Sequence, residues 1–170
     1  MDEGPSDVVW NFWSMLSLDM DATAGFEALI AELHPRLARA LVAAYGPERG
    51  NEAVAEAMAW AWEHRDDLLE MENPGGYLYR VGQSRSRPRR TPPLFPSAVE
   101  AGTPWVEPSL PSALRELTEQ QRVCVVLAHG YGWTHREVAE LLSIAPTTVQ
   151  NHVERGLAAL RRHMEVVPDA

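Results

Sequence analysis

Apolar residues recur every three or four positions from Phe26 through Leu29, Ile30, Leu33, Leu37, Ala40, Leu41 and Ala44, which predicts a helix with one buried face. Thr23 is a candidate cap for it, and Gly46-Pro47 a stop. Pro35 falls inside the pattern and predicts a kink near His34, because proline withholds a helical amide. A second helix is expected from about Pro47 to Leu69, carrying Val54, Ala57, Met58 and Ala61 with Trp60 and Trp62. A third starts at Asn73-Pro74, a cap followed by proline at the first helical position, and runs through Tyr77, Leu78 and Val81. The helical signal fades after Gly82.

Seven prolines between positions 88 and 111 (Pro88, Pro92, Pro93, Pro96, Pro104, Pro108 and Pro111) remove amide donors and predict a linker. Beyond Ser112 the helical code returns. Thr118 to Gln121 and Thr134 to Glu137 each read as a capping box, in which the threonine oxygen serves the amide three residues on and the Gln or Glu reaches back. Val123, Val125, Val126 and Leu127 form an apolar run that Gly130-Tyr131-Gly132 breaks. Val138, Ala139, Leu141 and Leu142 follow, then Ser143-Ile144-Ala145-Pro146, then Val149, Val153, Leu157 and Leu160. The expected fold is all-α: an N-terminal extension over 1–21, a helical domain over 22–87, the linker over 88–111 and a second helical domain over 112–165.

Charge changes this picture by its distribution. A formal net charge of -9 argues against nucleic acid, since an acidic surface repels phosphate. Yet residues 1–72 hold 15 Asp or Glu against 4 Arg, whereas residues 80–90 hold 5 Arg and no acid. Acid sits at one end and base beyond it. The single cysteine, Cys124, excludes an intramolecular disulfide framework and fits a reducing compartment, so a cytoplasmic location is expected. The stretch from Val8 to Met20 follows Asp2, Glu3 and Asp7 and is interrupted by Asn11, Ser14, Ser17 and Asp19, unlike a signal peptide or a membrane span. The six histidines form no HExxH or Cys-His set and no glycine-rich phosphate loop follows a strand, so no enzyme, metal or cofactor is expected.

The pattern helix, tight turn, helix is that of a helix-turn-helix, which needs a small residue where the helices cross and polar side chains facing outward. Ala139 supplies the small residue, and Thr147, Thr148, Gln150, Asn151, Glu154 and Arg155 the polar face. Gln150 and Asn151 suit adenine, and Arg155 suits guanine or phosphate. An ordinary helical hairpin with a solvated polar face is the alternative.

The residues around this face sharpen the reading. Ala113-Leu114-Arg115-Glu116-Leu117-Thr118-Glu119-Gln120-Gln121-Arg122, Gly132-Trp133-Thr134, Glu137-Val138-Ala139-Glu140-Leu141-Leu142 and Arg155-Gly156-Leu157-Ala158-Ala159-Leu160-Arg161 resemble region 4 of sigma-70 family factors. Phe26-Glu27-Ala28-Leu29, Glu52-Ala53-Val54-Ala55-Glu56-Ala57-Met58, and Asn73-Pro74 followed by Tyr77-Leu78-Tyr79-Arg80-Val81 look like region 2 of extracytoplasmic-function members. That resemblance implies a sigma factor that binds core RNA polymerase and promoter DNA. Region 4 would read the -35 element through the helix from Pro146, with Arg136 near phosphates, and would meet the polymerase beta flap. Glu52, Glu56 and Met58 would grip the beta-prime clamp helices. Tyr77, Arg80, Arg85 and Arg87 would engage the -10 element, and an anti-sigma factor is a further possible partner. The family usually has glutamine at Ala55, glycine at Ser143, serine at Ala145 and basic residues at Gln150 and His152. Trp62 and Tyr79 read as core side chains, and the arginines after Gly82 fit a solvated linker edge as well as a phosphate contact. A helix-turn-helix regulator that does not engage polymerase is the competing assignment.

Overall fold

The structure, a computed structural model, describes residues 6–85 and 109–166, with side chains from 23 to 85 and from 109 to 164. Every regular element among them is helical, so the fold is all-α. Helix α1 spans Ser6–Tyr45, α2 Pro47–Glu63, α3 Arg65–Leu69 and α4 Pro74–Arg85. After the interval come α5 Leu110–Glu116, α6 Glu119–Val125, a π-helical turn Val126–Gly130, α7 His135–Leu142 and α8 Pro146–Val166.

Three expectations need correction. Thr23 does not start the first helix: α1 begins at Ser6 and runs without interruption through Thr23 to Tyr45, with Pro35 inside it. The expected second helix breaks at His64, whose backbone leaves the helical region (φ -125°, ψ 36°). There both the His64 amide and its Nδ1 sit 3.0 Å from the Trp60 carbonyl, a local closure that ends α2 and restarts the chain as α3. In the C-terminal part, α5 starts at Leu110 rather than after Ser112, with Pro111 in its first turn, where a missing amide costs nothing.

Asn73 caps α4 as expected, its Oδ1 accepting the Gly76 amide at 2.8 Å. Both capping boxes form, Thr118 with Gln121 at the head of α6 and Thr134 with Glu137 at the head of α7. The Thr134 hydroxyl and amide hold the Glu137 carboxyl below its ordinary range, so this contact stabilises above that range and is lost as pH falls through the depressed value.

One hydrophobic core runs through both sets of helices. Leu37, Leu41, Ala57, Leu68 and Leu78 from α1 to α4 are fully buried in the same cluster as Val123, Leu127, Val138 and Val149. Polar contacts tie the sets together. Arg122 of α6 is only 5% exposed. Its Nε donates to the Ala43 carbonyl at 2.9 Å and its Nη2 to the Ala44 carbonyl at 2.6 Å, while Nη1 reaches Leu117 at 3.1 Å. The last turn of α1, which contains no basic residue of its own, thus receives its cation from α6. Nearby, Glu119 accepts from the Tyr45 hydroxyl at 3.0 Å and from the Gln83 amide at 2.9 Å. Arg36 lies over the Trp133 ring and Arg39 over the Tyr131 ring, each at 5.1 Å. Cys124 is fully buried in the same core, and burial pushes its thiol up to about 11.

Candidate nucleic-acid interface

The C-terminal helices build a corner with one face out. Val138, Leu141, Val149 and Val153 are buried between α7, α8 and α6, and Ala139, 3% exposed, sits at the crossing. Gly156 lets α8 lie close on α6, since a Cβ there would stand 2.7 Å from the Val125 Cγ2. Ser143 turns the chain in the left-handed region (φ 53°, ψ 46°). The Ile144 amide then donates to Ala139 at 3.0 Å and the Ser143 amide to Glu140 at 3.2 Å, the paired bonds of a Schellman turn. Asn73 strengthens this corner from outside, donating to the Glu140 carbonyl at 2.7 Å.

With the apolar side of α8 fixed inward, Thr147, Gln150, Asn151, Glu154 and Arg155 are exposed and Thr148 is half-buried. Gln150 Nε2 donates to Glu154 Oε1 at 2.9 Å. Arg136 is exposed on α7. Arg155 also borders an open groove with Gln83, Gln120 and His152.

The earlier helices place their candidates less uniformly. Tyr77 is 41% exposed and leans on Trp60, ring centroids 4.7 Å apart. Trp60 in turn stacks on His64 at 4.2 Å, giving a partly open aromatic group. Arg80 and Glu52 are exposed, and Met58 is half-buried against the core. Arg85 and Glu56, assigned from sequence to different partners, bind each other at 2.6 Å. The pair is half exposed on both sides, so it contributes little stability. Arg87 lies outside the described residues. Tyr79 is core, 5% exposed, as expected. Trp62 is not: it is 54% exposed, and its ring packs edge-to-face with Phe26, centroids 4.9 Å apart. Among the described residues no group of three or more His, Cys, Asp or Glu side chains could hold a metal ion. Among them, too, no helix is long and apolar enough to cross a membrane.

Residues 109–160 match the family model for sigma-70, region 4, which spans α5 to the body of α8. By this match its C-terminal helices are similar to region 4 of the sigma-70 family. In fold it is similar to the sigma factor RpoE from Bartonella quintana, solved in complex with the anti-sigma factor NepR. That likeness has a TM-score of 0.57 at 18% identity and covers 84% of this chain and 98% of the other. No curated protein matches the chain.

Seen as region 4, the corner carries one strained position. Serine at 143 holds a left-handed conformation that glycine takes without penalty. Ser143→Gly is expected to raise stability by about 0.5–1 kcal/mol, read from the urea midpoint. Its hydroxyl makes only a 3.4 Å contact to Asn73, so little is lost with it. Sequence reasoning missed two features of the candidate surface, the Gln150–Glu154 bond and the Glu56–Arg85 pair, and one of the core, the inward fork of Arg122. The spacing of four in the first pair was a usable signal. The other two join residues 29 and 79 positions apart, which no local pattern encodes.

Proposed function

We propose that this chain is a sigma factor of the sigma-70 family, of the extracytoplasmic-function type, that binds core RNA polymerase and directs transcription initiation at its promoters. Region 4 reads the -35 element through α8. Helices α2 to α4, as the region 2-like part, engage polymerase through Glu52, Glu56 and Met58 and the -10 element through Tyr77, Arg80 and Arg85. The observation that carries this reading is the outward polar face of α8 on a closed helix-turn-helix corner, since a helix of this kind fits the major groove and its side chains reach base edges. The partly open Trp60–Tyr77 group suits stacking on unpaired bases. The acidic surface before position 72 restrains binding to DNA by the chain alone and faces the polymerase, and the chain works in the cytoplasm. A partner of the anti-sigma kind, as NepR is for the Bartonella protein, fits the same scheme.

Run-off transcription with core polymerase, with and without the chain, tests this. Transcripts from specific start sites are expected only with the chain. Replacing Asn151 and Arg155 together by alanine is expected to reduce the -35-dependent signal about tenfold or more, since each good base contact discriminates by about 1–3 kcal/mol. The Arg85–Glu56 pair favours a second reading, a helix-turn-helix regulator without productive polymerase binding, because it ties up one proposed polymerase residue and one proposed DNA residue. Failure to retain core polymerase in a pull-down, with duplex binding intact, selects that second reading.

A further inference from the structure

Two rows of polar side chains run along the exposed side of α8, Gln150 with Glu154 and Asn151 with Arg155, each pair one turn apart. They differ in hydrogen-bonding sense. A carboxylate accepts only, so the 2.9 Å contact between Gln150 Nε2 and Glu154 Oε1 is made by the glutamine amide group donating. The contact fixes which end of the Gln150 amide is occupied. What remains free on this row is the Gln150 carbonyl oxygen, one N–H and the second carboxylate oxygen of Glu154, a surface made mostly of acceptors. The neighbouring row offers the donors of Arg155 and the mixed amide of Asn151.

The major groove presents complementary targets. Cytosine exposes its N4 amino group and adenine its N6 amino group, whereas guanine exposes two acceptors and thymine an acceptor with a methyl group. A carboxylate facing guanine N7 and O6 would meet acceptor with acceptor, leaving both desolvated and unpaired. Resting on the region 4 reading above, we infer that Glu154 is a specificity-determining residue: with Gln150 held beside it, it requires an amino-bearing base, cytosine or adenine, at one fixed position of the recognised duplex and rejects guanine and thymine there. Gln150 alone would suit adenine through both ends of its amide; tied to Glu154, it adds to the acceptor surface instead.

The test is selection from a duplex library with a randomised ten-base-pair window, using the full chain both alone and with core RNA polymerase, followed by sequencing of the retained duplexes. Wild-type selections are expected to hold cytosine or adenine at one position, with guanine depleted about tenfold there, the size of one direct base contact. Glu154→Gln keeps the size and shape of the side chain but adds a donor, and it is expected to lose that preference while the other positions keep theirs. Glu154→Ala should let adenine outcompete cytosine at this position, since the freed Gln150 amide then pairs with adenine through both its ends. If the preference survives Glu154→Gln unchanged while circular dichroism shows the same helix content, the inference is wrong and the region 4 reading stands. If the wild-type chain enriches no duplex in either form, that reading fails and the inference with it.

Discussion

Arg122→Ala is expected to lower the free energy of unfolding by about 3–5 kcal/mol, the largest loss for any single polar side chain described here. Two short bonds from a charged donor to the carbonyls of Ala43 and Ala44 disappear, and both carbonyls stay buried. Burial lowers the affinity of the Arg122 guanidinium for its proton, while Glu119 and the two nearby tyrosines oppose this. A guanidinium keeps its proton at neutral pH, so its bonds are charge-assisted. A lysine cannot reproduce the fork: Nε and Nη2 reach two successive carbonyls from one planar group, so Arg122→Lys should recover less than half of the loss. Urea denaturation followed by circular dichroism measures both. An unchanged midpoint in the alanine variant would mean that α6 does not hold the end of α1 in this way.

Two glycine-to-alanine changes are expected to move stability in opposite directions. In a helix interior alanine is favoured over glycine by about 1 kcal/mol, so the sign depends on what the added methyl meets. At Gly25 nothing lies within 4 Å of the new Cβ, and Gly25→Ala is expected to stabilise by about 0.5–1 kcal/mol. At Gly50 the new Cβ would stand 2.5 Å from the Val42 Cα and 2.7 Å from the Val42 nitrogen. These are backbone atoms of α1, so no rotamer change relieves the clash and the two helices must part. Gly50→Ala is expected to cost about 3 kcal/mol net, seen as a fall in Tm of about 6–12 °C. Equal midpoints for the two variants would contradict the close crossing of α1 and α2.

The helices that could be read from sequence are those whose ends are written locally. Thr118 and Thr134 announce α6 and α7 through side chains three residues on, and Asn73-Pro74 announces α4 in the same way; all three form. The start of α1 was not legible because Thr23, just before the first periodic apolar residue Phe26, has the chemistry of an N-cap, yet nothing there forbids the helix that already runs from Ser6. The break at His64 was missed because no proline or glycine marks it; it comes from a histidine returning to its own preceding turn. Of the candidate site, the α8 face was legible because the apolar residues Val149, Val153 and Leu160 fix which side is inward. Arg122 and Arg85 illustrate the opposite case. Each is an unremarkable arginine in its own helix, and its role is set by an acceptor that only the folded chain brings near.

The core shared between α1 to α4 and α6 to α8 imposes a thermodynamic filter on binding partners. A molecule that grips the two sets of helices as they stand meets a preorganised surface. One that can dock only after they separate sees its association constant scaled down by the fraction of molecules already apart, about tenfold for every 1.4 kcal/mol that holds them together. Selectivity between two classes of partner is thereby written into an internal contact that neither of them touches.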